Sequence, residues 1–369
     1  MSAKESLLTI KESIPQSEQI VVVLQGGGAL GAYQYGVYQA LDEAKIYPHW
    51  VIGTSIGAIN GGLIAGNPPE KRMAALKTFW DLMESHGDRS LEGFKSFFTW
   101  LTVANGVRGF FSPNPKLLFN PAGNVGIEHA SYYSTEPLKD TLNDLIDFDY
   151  LNSKKTRLTV GAVNARTGEM RYFDNRDEEL TVSHIMASGA LPPAFSAVRI
   201  DGEPYWDGGI YSNTPVEAVL EDKPRRNSII FSVQLWNPMS EEPGNIQEVL
   251  NKNKDIQFAS RDHFLEKEKK LHRLRHIIRM LGQKLPDEAK QNKEVKDLLA
   301  WGCGTTMHVI KLLAPRLEDE DQTKDIDFTT KGIQGRKTAG YDKTIKSLKQ
   351  KPWTNKIDPI EGVQIHDVH

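Results

Sequence analysis

Cysteine is nearly absent from this chain. Cys303 is the only one in 369 residues, which excludes an intrachain disulfide framework and a multi-cysteine metal site. An excess of charge of either sign is missing as well. With 45 Lys and Arg against 48 Asp and Glu, the formal net charge is −3, and such a balance implies no long-range attraction to nucleic acid or anionic lipid. Long apolar runs are also lacking. The most apolar early run, residues 20–24, is far too short to span a bilayer. Residues 1–18 are polar, with Lys4, Glu5, Lys11 and Glu12 where a secretory signal would need a continuous apolar core. The expectation is a cytoplasmic protein, with signal-independent export left open.

What is present suits a large folded core: 39% hydrophobic and 25% charged residues, the proportions of ordinary globular domains. Residues 19–25 (QIVVVLQ) form a short β-branched apolar run closed by three glycines, the pattern of a buried parallel strand. Helical spacing follows over 29–44, a second short strand at 49–52, and helices over 56–65 and 70–84. Strand and helix alternating in this rhythm predict a parallel sheet covered on both faces. Residues 91–133 are irregular and aromatic, including Phe94, Phe97, Phe98, Trp100, Phe110 and Phe111. Further elements are expected at 136–146 (helix), 157–164 and 170–174 (strands), 182–188 (helix) and 228–235 (strand). Beyond Pro243 the spacing predicts a long charge-rich helix over 257–281, a strand at 307–313 and a helix at 331–348, with a poorly ordered tail from Pro352.

Three motifs carry chemistry. Gly26-Gly27-Gly28-Ala29-Leu30-Gly31 matches G-x-G-x-x-G between a strand and a helix, so a dinucleotide site must be weighed. Glycines there let backbone N–H groups converge on an anion at a helix N-terminus. That anion is either a pyrophosphate or the oxyanion of a tetrahedral intermediate. The second motif separates the two. A dinucleotide fold wants an acidic residue at the end of its second strand. Here that strand runs into Gly53-Thr54-Ser55-Ile56-Gly57, which is G-x-S-x-G in the strand–turn–helix context of a nucleophile elbow. Gly53 and Gly57 remove side chains that would clash across the turn, and Ser55 stands at a helix N-terminus that favours developing negative charge. The third motif is Trp206-Asp207-Gly208-Gly209. A serine hydroxyl needs a base, and a carboxylate on a loop against apolar surface gains proton affinity by desolvation. An isolated D-G-G is also a plain β-turn; the other two motifs give it weight.

Together these segments resemble the patatin-like phospholipase family: a glycine-rich oxyanion loop, a G-x-S-x-G elbow and a D-G-G base. Residues 187–195 (ASGALPPAF) also resemble that family's A-S-x-A-x-P stretch, and the likeness covers roughly 19–235. One departure is Leu30, where many relatives carry a basic residue. The resemblance implies an α/β, three-layer α/β/α core with a mainly parallel sheet over 19–235 and a helical C-terminal extension packed on it over 236–350. A polar segment (1–18) and a tail (351–369) would flank them. It implies a Ser55–Asp207 dyad without histidine, an oxyanion hole drawn from Gly26, Gly27, Gly28 and Ile56, supporting glycines 53, 57, 208 and 209, and no metal or organic cofactor. The reaction would be hydrolysis of a lipid or other acyl ester through an acyl-enzyme.

Rival chemistries remain open at this point. A Ser–Asp–His triad would draw its base from His263, His272, His276 or His308; His184 reads as structural. An acyltransferase would use the same acyl-enzyme, and a dinucleotide-dependent oxidoreductase the same glycine loop. The aromatic stretch Phe94–Phe111 reads equally as a lid, an acyl-pocket wall or core. Lys267, Lys269, Lys270, Arg273, Arg275 and Arg279 are candidates for peripheral membrane contact, although an ordinary surface or homo-oligomer helix has the same composition.

Overall fold

Alternation along the first strand sets the layers. The computed structural model describes residues 10–84, 104–115, 124–260, 262–318, 320–358 and 360–367. In it, β1 (Gln19–Leu24) sends Val22 and Leu24 into one apolar core and Val21 and Val23 into another. Successive strand side chains point to opposite faces, so this strand must be covered on both sides.

After β1 come a 3-10 turn (Gly28–Gly31), α1 (Ala32–Glu43), β2 (Trp50–Gly53), α2 (Ile56–Ala65) and α3 (Pro69–Met83). A small hairpin pairs β3 (Ser112–Pro113) with β4 (Tyr133–Ser134), followed by α4 (Glu136–Leu145) and α5 (Phe148–Asn152). The chain continues through β5 (Arg157–Asn164), β6 (Met170–Asp174), α6 (Val182–Ser188), β7 (Val198–Ile200), β8 (Glu203–Asp207), α7 (Glu217–Leu220) and β9 (Ser228–Gln234). It ends with α8 (Ile246–Phe258), α9 (Asp262–Lys284), α10 (Asp287–Gln291), α11 (Lys293–Leu299), β10 (Met307–Leu313), α12 (Thr330–Gln350) and β11 (Val363–Asp367).

The main sheet runs β11-β10-β9-β1-β2-β5-β8-β7, with β6 also on β5. From β11 to β5 every pairing is parallel; β6, β8 and β7 add antiparallel pairings. The larger core holds residues of α1, α2, α3 and α12 on one face. Val216, Val219, Leu220 and Leu265 cover the other. The α/β, three-layer, mainly parallel architecture expected from the strand–helix rhythm is therefore the one observed. Among the described residues no helix is long and apolar enough to cross a membrane.

Strand β5 does the positioning. Its residues Thr159 and Val160 face both β2 and β6, and Ala162 and Val163 face both β6 and β8. A strand has only two edges, so β2 and β8 share one. They approach along it from opposite directions, β2 stopping with Gly53 opposite Val160 and β8 with Asp207 opposite Ala162. The residues that follow β2 and those that end β8 must meet.

Two expectations for the C-terminal part need correction. The helix expected over 257–281 is two helices, broken between Phe258 and Asp262. Helix α8 precedes it, capped by Asn245, whose side chain accepts from Glu248 N–H. Residues 351–369, expected as a tail, place Trp353 in the core, bonded to Ser13 Oγ at 3.2 Å. They also supply β11, which pairs in parallel with β10. The extension thus completes the main sheet.

Its last helix also locks onto the first. A Cβ at Gly36 of α1 would lie 1.9 Å from the Lys337 carbonyl oxygen, and one at Gly340 of α12 would lie 2.1 Å from that of Tyr33. The two backbones touch with no side chain between them. Alanine at either position gains about 1 kcal/mol of helix propensity. It also drives a methyl into backbone that can yield only by helix separation, and over-packing of this kind costs typically ~1–3 kcal/mol or more. Gly340→Ala is therefore expected to destabilise the protein by a net ~1 kcal/mol or more, read as a lowered urea midpoint at unchanged m-value.

Candidate active site

The turn after β2 is tight because nothing fits inside it. A Cβ at Gly53 would come within 2.2 Å of Gly57 O, and one at Gly57 within 2.2 Å of Leu24 O. The turn forces Ser55 to φ 56° and ψ −125°, a conformation non-glycine residues rarely hold and one that costs of order 1–3 kcal/mol. Its surroundings hold it there. Ser55 N–H donates to both the carbonyl and the hydroxyl oxygen of Ser188, each at 3.1 Å, and Ser188 Oγ donates to Gly161 O of β5 at 2.6 Å.

Asp207 sits at the end of β8, only 2% exposed. Its backbone N–H is fixed to Ala190 O at 3.0 Å, and Oδ1 accepts from Gly209 N–H at 2.7 Å. The Ser55 side chain lies close enough to act on the carboxyl. Burial pushes the carboxyl up to about 7, against the opposing pull of the Ser55 and Gly209 hydrogen bonds. That places its titration where a general base works best at neutral pH. Gly208 packs flat on β5, since a Cβ there would lie 2.3 Å from Gly161 O.

The glycine loop faces this pair. The N–H groups of Gly27, Gly28 and Ile56 make no hydrogen bond to protein among the described residues. Gly26 is different, which corrects its expected role as a donor. Its N–H is spent on Asn213 O at 3.2 Å, and its carbonyl accepts from Trp236 Nε1 at 2.8 Å and Asn213 Nδ2 at 3.2 Å. Gly28 has φ 55°, and a Cβ there would lie 2.3 Å from Asp325 O. A turn of the extension therefore presses directly on the loop.

Several residues that pattern reading missed hold this arrangement. Gln25 is fully buried; its Nε2 donates to Thr214 Oγ1 at 2.6 Å and to Phe258 O at 3.1 Å, and its Oε1 accepts from the N–H groups of Leu235 and Trp236. Asn213 Nδ2 donates to Phe258 O at 2.8 Å. The break after α8 frees that carbonyl to accept both bonds. Asn213 lies four residues beyond the D-G-G motif, in Ser212-Asn213-Thr214-Pro215, and nothing in the sequence signals these partners.

Ser55, Asp207 and the glycine loop open on a cavity of about 360 Å³. Its wall is mostly apolar, with Ile59, Phe110, Phe111, Tyr133, Leu191 and Phe195 from the core region and Phe258 and Phe328 from the extension. Of the aromatic stretch, Phe110 and Phe111 are thus pocket wall; Phe94, Phe97, Phe98 and Trp100 lie outside the described residues. No described histidine lines this cavity. His184 accepts from Thr181 N–H at the start of α6, His272 Nε2 meets Leu220 O, His276 Nε2 meets Thr305 O, and His308 stacks on His366. The side chain of His263 lies outside the described residues. Among those residues no group of three or more His, Cys, Asp or Glu side chains is placed to hold a metal.

Comparison with known proteins agrees with this geometry. A family model described as patatin-like phospholipase matches residues 22–220, more than half of the chain, and a second, described as patatin phospholipase, matches residues 256–360. Lysophospholipase NTE1 of Candida glabrata is 26% identical over 282 residues, 70% of this chain and 14% of that protein. A putative patatin-like phospholipase domain-containing protein of Caenorhabditis elegans, M110.7, is 43% identical over 61 residues, 16% of this chain and 6% of that protein. The chain thus spans only a small part of these relatives. Among solved structures, VipD from Legionella pneumophila aligns over 91% of this chain and 67% of its own at 15% identity and TM-score 0.41. The type III effector ExoU aligns over 92% and 54% at 13% identity and TM-score 0.38. The first family match contains the glycine loop, the Ser55 elbow and the Asp207 turn within its bounds, and on that match the chain belongs to the patatin-like phospholipase family.

Proposed function

We propose that this protein hydrolyses lipid acyl esters with Ser55 as nucleophile and Asp207 as its sole base. The observation that carries the reading is the buried carboxyl of Asp207, its proton affinity raised to about 7 by desolvation, beside the Ser55 side chain on the wall of one apolar cavity.

In this reading an acyl chain lies along the aromatic wall with its ester carbonyl at Ser55. Asp207 accepts the hydroxyl proton as Oγ attacks the carbonyl carbon. Negative charge then grows on the carbonyl oxygen, facing the free N–H groups of Gly27, Gly28 and Ile56. Each such donor is typically worth ~3 kcal/mol in the transition state. Collapse expels the alcohol, which takes the proton back from Asp207. Water enters and gives its proton to Asp207 as its oxygen adds to the acyl carbon; the bond to Ser55 Oγ then breaks, Asp207 returns the proton to Oγ, and the acid is released. No step requires a histidine. The cavity volume of about 360 Å³ lies at the small end of ligand pockets, which favours a single acyl chain in the site.

A fluorophosphonate probe is expected to label Ser55, and Ser55→Ala to lower p-nitrophenyl ester turnover by about a thousandfold or more at unchanged thermal midpoint. Label on another residue, or activity surviving in that variant, would overturn the assignment.

The raised carboxyl predicts two pH effects. Activity needs the ionised base, so kcat/KM should rise with pH to a plateau above about 7. Stability moves the other way. The folded carboxyl keeps its proton up to about 7 whereas an unfolded aspartate loses it near ~3.9. The native state therefore binds more protons in that window and loses stability as pH rises through it. Asp207→Asn removes this cost. It should abolish most turnover yet unfold at a higher temperature than wild type at pH 8, by roughly 2–4 kcal/mol at most, with the gap vanishing near pH 4. Calorimetry across that range checks the sign; a gap that widens toward acid would refute it.

A further inference from the structure

Helix α8 is built inside out. At 3.6 residues per turn, Ile246, Val249, Leu250 and Ile256 fall within an arc of about 120°. These four side chains are 74%, 44%, 49% and 58% exposed. The face packed against the protein is polar instead. Asn251 and Asp255 are buried there, Asp255 paired with the equally buried Lys324 and with Arg316 at 3.6 Å. A surface helix of a water-soluble domain normally turns its apolar stripe inward. Here a buried ion pair fixes the helix with that stripe facing out, and solvent gains no advantage from it.

The stripe borders the mouth of the cavity. Lys254 and Phe258 of the same helix line the pocket, and Lys254 lies only about 40° around the helix from Leu250. Beside it, Asn213 is bonded to the Phe258 carbonyl, and the turn just before Asn213 carries Ile210 and Tyr211, 50% and 65% exposed. Apolar side chains thus flank the entrance from two elements. A second copy of the chain seated here would cover the entrance through which a substrate must pass. A lipid surface covers the same side chains and supplies the substrate as it does so.

We infer that the outer face of α8, with Ile210 and Tyr211, is the surface by which this protein docks on a lipid–water interface, an inference that rests on the lipid-ester reading above. Charge is not what holds it there. The stripe contains only Asn253 and Gln257 besides its four apolar residues, while Lys252 donates to Pro238 O and Lys254 is paired with Asp325 at 2.5 Å. Docking then proceeds by insertion of apolar side chains, as in interfacial helices, and needs no anionic lipid.

The test uses full-length Ser55→Ala protein, so that binding is read without turnover, sedimented with phosphatidylcholine vesicles at about 0.1 and 0.5 M salt. The partition coefficient is expected to be unchanged by salt, since apolar insertion is not screened. It should fall at least about tenfold when Val249→Ser, Leu250→Ser and Ile256→Ser are added. The same triple change with Ser55 intact should keep kcat/KM for p-nitrophenyl butyrate within about twofold, which shows an intact fold and pocket. Three results would overturn the inference. One is undiminished sedimentation of the triple variant. Another is binding that requires phosphatidylserine and disappears at high salt, which would move docking to the basic residues of α9. The third is a dimer, seen by light scattering, that the triple change dissociates. Loss of ester hydrolysis would count against the proposed reaction, whereas sedimentation reads the docking surface alone.

Discussion

Asp207 is a carboxyl kept almost completely from water, and its contact with the Ser55 side chain is where two strands arriving from opposite directions along one edge of β5 meet. Much of the core answers to that contact. Desolvation disfavours the charged carboxylate, the elbow holds Ser55 in a strained backbone conformation, and neither would persist unless its surroundings left no alternative. Ser188 supplies part of that constraint. It takes the Ser55 N–H on two oxygens and passes its own proton to Gly161, so the elbow is tied to the strand that sets the position of Asp207. The distance between nucleophile and base is thereby referred to one rigid element rather than to two loops.

The glycine loop is held by a different set of bonds. Gln25 and Asn213 both donate to the carbonyl of Phe258, at the last residue of α8, while Gln25 also accepts from the chain leaving β9. One helix end therefore anchors the chain just before Gly27 and Gly28 and the loop after Asp207. Buried amide side chains used this way are demanding, because each unmatched donor or acceptor would cost about 1–3 kcal/mol. All four hydrogen-bonding positions of Gln25 are accounted for by those contacts and the donation to Thr214, which explains why a polar residue stands fully buried at the end of a hydrophobic strand.

Local features of the core were legible in the sequence. The helix over 56–65 has the bounds expected from its small residues, and the elbow is where G-x-S-x-G placed it. The glycine loop was ambiguous alone and was resolved by the residue that ends β2. Reading could not extend to features defined by distant partners. Gly26 looks the same as Gly27 and Gly28 in the motif, and only the position of Asn213 shows that its N–H is already used. Strand β11 is five residues long, with just Val363 and Ile365 to mark it, and gains its meaning from pairing with β10. Helix α8 carried a readable start in Asn245 and Glu248, but its apolar residues point away from the core, so a search for a core-facing stripe passes over it. The break after Phe258 has neither glycine nor proline to signal it.

The extension cannot be separated from the catalytic region on physical grounds. It adds β10 and β11 to the same sheet, lays α12 on α1 with backbone against backbone, and contributes Phe258 and Phe328 to the cavity wall. Its approach to the glycine loop is the most consequential. Asp325 O lies where a Cβ on Gly28 would be, so the loop that offers free N–H groups to the cavity is backed by chain from beyond residue 236. Donors stabilise a developing charge only if they need not reorganise when it appears, and a loop of three consecutive glycines would otherwise be among the least rigid in the molecule. Stiffness that the glycines cannot supply locally comes from packing the extension against them. A cut made at the end of β9, where sequence resemblance to the family's core stops, would keep Ser55 and Asp207 while removing the chain that packs against Gly28.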